Sequence, residues 1–312
     1  MKIIQYFYAD QEEAEVQLAV WSPVKNGWIN INEKLGELLS SVDLDANEEI
    51  KGVNFDTTAL FALDRAGLNE IAEYADRSKQ EPVDLSAVSW LPAIISPNKI
   101  LCVGLNYRDH AEEFNDPIPG EPVIFNKASS TLNAHNCPIM IPRASDQIDY
   151  EAELVVVIGS GGRFIPESET LAAVAGYTCG NDVSCRDWQK NKPGGQWFLG
   201  KSFDTFAPIG PALVLRDEID DPNNLKIESR LNGKIMQSSN TKNFIFPVEK
   251  LISYISEVMT LEPGDLIFTG TPGGVGDKRN PPVYLKKGDR IEVEIEKIGL
   301  LSNEVLDEKD FY

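Results

Sequence analysis

Residues 149–158 read DYEAELVVVI. Side chains alternate faces along a strand, so Asp149, Glu151 and Glu153 would project from one face, about 6 to 7 Å apart. That face continues as Val155 and Val157, while the opposite one reads Tyr150, Ala152, Leu154, Val156 and Ile158. Both faces turn apolar within a few residues, which describes a strand that enters a core with acids at its head. RIEVEIE, residues 290–296, is the internal control: Glu292, Glu294 and Glu296 alternate with Ile291, Val293 and Ile295, the pattern of a strand with one wet and one apolar face. Like charges brought into partial burial raise one another's pKa unless a cation sits between them. A hard divalent ion with oxygen ligands meets that need, and Asp182, presented by the Gly-Asn turn of GYTCGNDVSCRDWQ, is the candidate third carboxylate.

Around this stretch the 312-residue chain is strand-rich. KILCVGL, PVIFNKA, PALVL, LKIESRLNG and DLIFTG carry strand signals punctuated by Gly, Pro and Asp turns. One clear helix interrupts them, PVEKLISYISEVM, with proline in its first turn and Leu251, Ile252, Ile255, Val258 and Met259 at helical spacing. Strands do not alternate regularly with helices, so the pattern predicts an α+β β-roll or sandwich and not a doubly wound sheet. The N-terminal region predicts short strands (IIQYFY, VQLAVW, GWINI) and an amphipathic helix over 58–77, capped by Asp56 or Thr57. The expected division is a small α+β unit over 1–80, a proline-rich connector over 81–97 and a catalytic region over 98–312.

The formal net charge is −20, and the first 90 residues hold 17 acidic against 7 basic side chains. Nucleic acid and anionic membrane are poor partners for such a surface. An anionic substrate would need cations in its pocket to overcome the global field. No apolar run approaches the roughly 20 residues that cross a bilayer, and the start lacks a secretory signal, which reads as cytoplasmic. Cys102, Cys137, Cys179 and Cys185 show no CxxC spacing and read as four reduced thiols in preference to two disulfides, with a catalytic role for one of them left open.

Three further stretches bear on chemistry. Gly195 to Ser202 satisfies GxxxxGK[ST], yet Trp197, Phe198 and Leu199 fill the intervening positions and Phe203, Phe206 and Pro208 follow where a helix should run, which excludes a phosphate loop. Lys201 is left as a cation in an aromatic setting, either functional or paired to a structural carboxylate. TGTPGGVGD, residues 269–277, is either a turn whose amides and Thr271 hydroxyl hold a carboxylate or a plain connection. His110, in GLNYRDHAEEFND, has Glu113 three residues on; on a helical turn the pair shares a face, as a general base requires, and a solvated surface histidine is the alternative. His135 has no such partner and reads as structural.

Taken together, KILCVGLNYRDHAEE, DYEAELVVVIG, GNDVSCRDWQ, GKSFDTFAPIGP, LNGKIMQSSNT and FTGTPGGVG resemble, in this order, the fumarylacetoacetate hydrolase family over about residues 98–307. QWFLGKSFDTFAPIGPALV with QSSNT is most similar to its domain-containing protein 2 branch, which is associated with oxaloacetate tautomerase activity. The resemblance implies a mixed β-sandwich roll, a homodimer, and metal carboxylates at Glu151, Glu153 and Asp182. It further implies a base pair at His110 and Glu113, an active-site lysine at Lys201, and substrate contacts at Gln189 and Thr271. The implied ion is Mg²⁺, with Mn²⁺ or Ca²⁺ accepting the same ligands. Asp149 matches no family ligand, and Asn106 stands near an extra ligand position of some members. The implied activity is on a small anionic 2-oxo acid through a stabilised enolate. Oxaloacetate keto-enol tautomerisation is the first expectation. The alternatives are carbon-carbon hydrolysis of acylpyruvate or fumarylacetoacetate-type substrates, 2-hydroxyhepta-2,4-diene-1,7-dioate isomerisation and oxaloacetate decarboxylation. A non-catalytic binding module is disfavoured because every expected catalytic group is present.

Overall fold

The computed structural model describes residues 1–9, 15–41, 55–109 and 118–311. Strands β1 (Lys2–Tyr8), β2 (Gln17–Ser22) and β3 (Gly27–Asn30) open the chain, followed by α1 (Asn32–Ser41), α2 (Arg65–Arg77) and β4 (Val88–Trp90). Next come β5 (Ile100–Gly104), β6 (Val123–Asn126), β7 (Leu132–Asn133), β8 (Ile139–Ile141), β9 (Ile148–Asp149), β10 (Ala152–Ile158), β11 (Val174–Asn181) and β12 (Ser184–Cys185). Two short helices, α3 (Arg186–Asn191) and α4 (Trp197–Lys201), precede β13 (Ala207–Leu215), β14 (Lys226–Leu231) and β15 (Lys234–Asn240). Helix α5 (Val248–Val258), β16 (Leu266–Phe268), β17 (Arg290–Ile295) and β18 (Gly299–Asp307) complete the chain.

The strands form a large mixed sheet in the order β3-β2-β1-β13-β11-β10-β16-β5-β6, with β4 beside β1 and β7 beside β13. A second sheet runs β15-β14-β17-β18-β8, and β9 pairs with β12. This is the strand-rich α+β architecture expected. Strand β10 lies inside the large sheet, and all seven of its residues are buried. Leu154, Val156 and Ile158 pack with Ile227, Val293, Ile295 and Leu301 of the second sheet and with Leu251, Ile252 and Ile255 of α5. Val155 and Val157 pack on the other face with Cys102, Ile209, Leu213 and Phe268. Burial on both faces is why the run is continuously apolar. In the control strand β17, Ile291, Val293 and Ile295 are buried and Glu294 is exposed, as its alternation predicts.

The N-terminal strands join the same sheet: β1 pairs antiparallel with β13 through Ile3 opposite Leu213, and with β4 from within the expected connector. Buried Gln5 donates to the carbonyls of Pro92 and Ala93 and accepts from the Thr57 amide. The region also has an apolar cluster of its own, including Leu18, Ile29, Leu35, Leu60 and Ile71. Among the described residues no helix is long and apolar enough to cross a membrane.

Three local expectations are corrected. The helix over 58–77 is a 3-10 turn, Thr57–Ala62, followed by α2, because the Asp64 carboxylate accepts from the Gly67 amide at 2.8 Å and starts a second helix. Val258, expected on the apolar face of α5, is 65% exposed, since the helix ends there. Gly180 and Asn181, expected as a turn presenting Asp182, instead end strand β11, paired with Glu153 and Ala152; the strand carries no alternating pattern in VAGYTCGN, because its small residues are set by close neighbours. A Cβ on Gly180 would meet the Phe268 ring at 2.7 Å and clash with Val155. Overpacking of this kind costs about 1–3 kcal/mol. Gly180→Ala is therefore expected to lower stability to urea by about that amount, and a variant with the unfolding midpoint of the parent would show that the sheet relaxes around the added methyl.

Candidate active site

The strand predicted over 149–158 is broken at its head. Asp149 ends β9, where it pairs with Ser184 of β12, and β10 begins only at Ala152. Glu153 lies opposite Gly180 of β11, and Asp182 follows that strand, its amide donating to the Glu151 carbonyl at 2.9 Å. The Glu151 amide donates in turn to the Asn181 side chain. The β10–β11 ladder thus carries Glu151, Glu153 and Asp182 to one point, where one oxygen of each lies within 4.8 Å of the others and all three residues are buried.

Asp149 departs from the expected three-carboxylate face. Its carboxylate accepts from the amides of Tyr150, Gly276 and Asp277 and from Arg186 Nε at 2.8 Å. It therefore anchors the glycine-rich loop 127 residues away.

Three buried cations sit among these acids. Lys201, at the end of α4, donates to Glu151 Oε2 at 2.7 Å and Asp182 Oδ2 at 2.6 Å. Lys127, just beyond β6, donates to Asp182 Oδ1 at 2.6 Å and to the Val183 carbonyl. Arg186, opening α3, reaches Asp149, Glu151 Oε1 at 2.7 Å and Gln189 Oε1 at 3.0 Å. Burial tends to strip Lys201 of its proton, but the charges of Asp182 and Glu151 hold its pKa above the ordinary value, so it acts as a fixed ammonium. Glu153 accepts from the Gly270 amide at 2.7 Å. Burial, then the charges of Asp182 and Glu151, push its carboxyl well above the usual range.

Among the described residues, four carboxylates against three cations leave one formal negative charge in excess at the cluster. The donor set is all carboxylate oxygen, which suits a hard divalent ion and not a thiophilic one. Adding two positive charges would turn the excess to one positive charge, favourable for an anionic ligand. Glu151, Glu153 and Asp182 therefore fit the ion that their pattern implies. Asn106 does not join them: its amide donates to the Phe246 and Thr269 carbonyls and accepts from the Phe246 amide.

The cluster opens on a cavity of about 390 Å³. Its lining is apolar at Val103, Leu105, Phe125 and Trp197, with Gly104 among them, and polar at Arg186, Gln189, Lys190, Lys201, Thr271 and Lys278. Gly104 is needed there because a Cβ would meet the Trp197 indole at 2.8 Å. Thr271 Oγ accepts from Gln237 Nε2 at 2.8 Å, and Gln237 Oε1 accepts from the Ala152 amide, so the threonine is held from behind. Gln189 and Thr271 thus share one cavity with the acidic cluster. His110 and Glu113 lie outside the described residues. Of their neighbours, Asp109 accepts from Ser239 Oγ at 2.6 Å and Arg108 donates to the Phe244 carbonyl.

Helix α4 ends at Lys201 where a phosphate loop would begin its helix, which removes that pattern on geometry as well as composition. His135 packs edge-on to Trp90 and accepts from the Ser302 amide, with burial and then Arg290 pushing its pKa down to about 4. Burial pushes the Cys179 and Cys185 thiols up to about 12, which disarms them as nucleophiles. Lys127, Arg186 and Gln237 went unread in the sequence. Arg186 had a signal, lying four residues beyond Asp182 and three before Gln189; Lys127 had none, because its partner is 55 residues away.

Residues 99–306 match the model of the family described as fumarylacetoacetate (FAA) hydrolase, C-terminal. The chain is 51% identical over 221 residues to oxaloacetate tautomerase FAHD2A, mitochondrial, of Bos taurus, covering 71% of this chain and 70% of that one. Among solved structures it is similar to fumarylacetoacetate hydrolase from psychrophilic Exiguobacterium antarcticum, with a TM-score of 0.74 and 32% identity over 97% of this chain and 99% of that one. It is similar as well to 2-hydroxyhepta-2,4-diene-1,7-dioate isomerase from Mycobacterium marinum, with a TM-score of 0.70 and 30% identity over 99% of both chains.

Glu153→Gln removes one donor charge while keeping the side chain's size. Calorimetric titration with Mg²⁺ is expected to show an affinity loss of at least about 10-fold, the lower end for disturbing even a ligand's supporting shell. An unchanged affinity would remove Glu153 from the donor set.

Proposed function

The chain belongs to the fumarylacetoacetate hydrolase family, and on that premise we propose that it is an oxaloacetate keto-enol tautomerase that depends on a divalent ion, Mg²⁺ in the first instance. The observation that carries the proposal is the buried cluster of Glu151, Glu153 and Asp182, braced by cations and opening on a cavity lined by both polar and apolar side chains. The tautomerase named among its relatives supplies the reaction.

Glu151, Glu153 and Asp182 would hold the ion, which when bound supplies positive charge next to the 2-oxo group of the substrate. The chain's own groups do the rest. Lys201 keeps Glu151 and Asp182 in place and adds a fixed positive charge where the enolate develops. Thr271 accepts from Gln237, so its own hydroxyl proton is available to a substrate oxygen. Gln189 is held through Oε1 by Arg186, which leaves its NH₂ group to donate to a substrate carboxylate. His110, oriented by Glu113, takes the proton from the enol hydroxyl and returns one to the carbon beside the 2-oxo group. Val103, Phe125 and Trp197 limit water at that carbon.

Carbon-carbon hydrolysis of acylpyruvates is the second reading, supported by similar structures that bear hydrolase as well as isomerase names. In that reading His110 activates water against a second carbonyl and an enolate leaves. In both, residues 98–312 carry the chemistry, 81–97 connect and 1–80 form the N-terminal unit. A homodimer and a cytoplasmic location complete the proposal; the named Bos taurus relative is mitochondrial.

Following enol absorbance with oxaloacetate, and pyruvate release with an acylpyruvate, tests both readings. Mg²⁺-dependent loss of enol-oxaloacetate that EDTA abolishes is expected, and no EDTA-sensitive turnover of either substrate would defeat the enzyme reading. His110→Ala is expected to cost about 10²-fold or more, with hydrolysis hit harder than tautomerisation. Equal losses would count against two roles for this histidine.

A further inference from the structure

The Gln237 side chain ties several segments together. It stands on β15 opposite Ser229 of β14 and is 1% exposed. Its Oε1 accepts from the Ala152 amide at 3.0 Å and from the Ser229 hydroxyl at 2.9 Å, and its Nε2 donates to Thr271 Oγ and to the Pro272 carbonyl, both at 2.8 Å. A carboxamide has two acceptor sites and two donors, so this one is fully used. Two of its partners are backbone groups that leave no choice of orientation. A peptide N–H only donates and a carbonyl oxygen only accepts, so the atom facing Ala152 is the oxygen and the atom facing Pro272 is the nitrogen. Thr271 Oγ therefore meets an N–H and must accept. Its own proton is turned away from Gln237, and among the described residues nothing takes it. Thr271 lines the cavity, whereas Gln237 does not. The glycine-rich loop is held to the same strand at the neighbouring residue. Arg279 donates to the Met236 and Gly274 carbonyls, and Gly274, at φ +103°, comes so close that a Cβ there would meet the Met236 carbonyl oxygen at 2.4 Å. Backbone packing thus helps to set the separation of Gln237 and Thr271.

We propose that Gln237 is a positioning residue of this site: it fixes Thr271 as a hydrogen-bond donor, so that the cavity takes an acceptor oxygen of the ligand, carboxylate or 2-oxo, at that point. The inference rests on the reading of the cavity as a 2-oxo acid site and adds what orients the threonine within it. A free hydroxyl rotates and presents either its proton or its lone pairs. With one lone pair engaged by Gln237, the proton is aimed before the ligand arrives, and the ordering cost of binding falls.

The test is a double-mutant cycle of Gln237→Met and Thr271→Val on the Mg²⁺-loaded protein, read by calorimetric titration with pyruvate. Thr271→Val is expected to weaken pyruvate binding about tenfold, the scale of one hydrogen bond to a charged group. Gln237→Met is expected to weaken it about fivefold in the parent, within the range of coupled neighbours, and to cost nothing further in the Thr271→Val background. A merely structural role would cost the same in both backgrounds. Equal costs, no cost in either, or a parent that binds no pyruvate would overturn the inference. Should the methionine variant not fold, Gln237→Asn takes its place: it keeps a carboxamide at the position but, one methylene shorter, draws it back from Thr271, and the same pattern is expected. With enol-oxaloacetate the four proteins are expected to repeat the pattern in kcat/KM. Coupled losses of pyruvate affinity without any tautomerase turnover would sustain the role of Gln237 and defeat the proposed reaction. Turnover with independent losses would do the reverse.

Discussion

Carboxylates do not stay ionised in a protein interior without partners, and this site gathers four carboxyl groups in one. The effective cost of burying an ion is several kcal/mol, recovered only by close opposite charge and satisfied lone pairs. Asp149, Glu151 and Asp182 meet that condition on both oxygens through Arg186, Lys201, Lys127 and the amides of the glycine-rich loop. Glu153 meets it on one, through Gly270. Satisfying these acids requires the β10–β11 ladder, the end of β6, both short helices and two loops to converge, so the electrostatics of one cluster dictate the placement of several segments of the fold.

The sheets supply the rigidity that this convergence needs. Strand β10 is packed on both faces, by the second sheet and α5 on one side and by β5, β13 and β16 on the other. Positions at its head are therefore set by a packed core, and misplacement of a carboxylate would cost core contacts as well as hydrogen bonds. Gln237, from the second sheet, bonds the first amide of β10 and the Thr271 hydroxyl together, which couples the cavity wall to the strand carrying the acids.

The same frame accommodates more than one reaction. Proteins with isomerase and hydrolase names share it at 30% and 32% identity. Reactions that share a scaffold are told apart by the contacts their cavities offer, and in this chain five apolar or glycine positions line the cavity together with charged and amide side chains.

Periodicity alone made β10, β17 and α5 legible, because each has a face or faces whose burial leaves a mark at fixed spacing. It hid β11, whose Gly176 and Gly180 answer to neighbours across the sheet, and it ran two helical segments together at Asp64, where one cap decides the break. The acids Glu151, Glu153 and Asp182 could be named from the chain because charges heading an apolar strand need a reason. Which of the acids in DYEAELVVVI belong to the cluster was decided in three dimensions: the break before Ala152 turns Asp149 toward Arg186 and the loop at Gly276, while Glu151 and Glu153 turn to Asp182. The partners of Lys127 and Lys201 are likewise assigned only by tertiary structure, because an ion pair between segments 55 or 19 residues apart leaves no period in the sequence, and what the sequence does record is the local pattern of burial that each segment must satisfy.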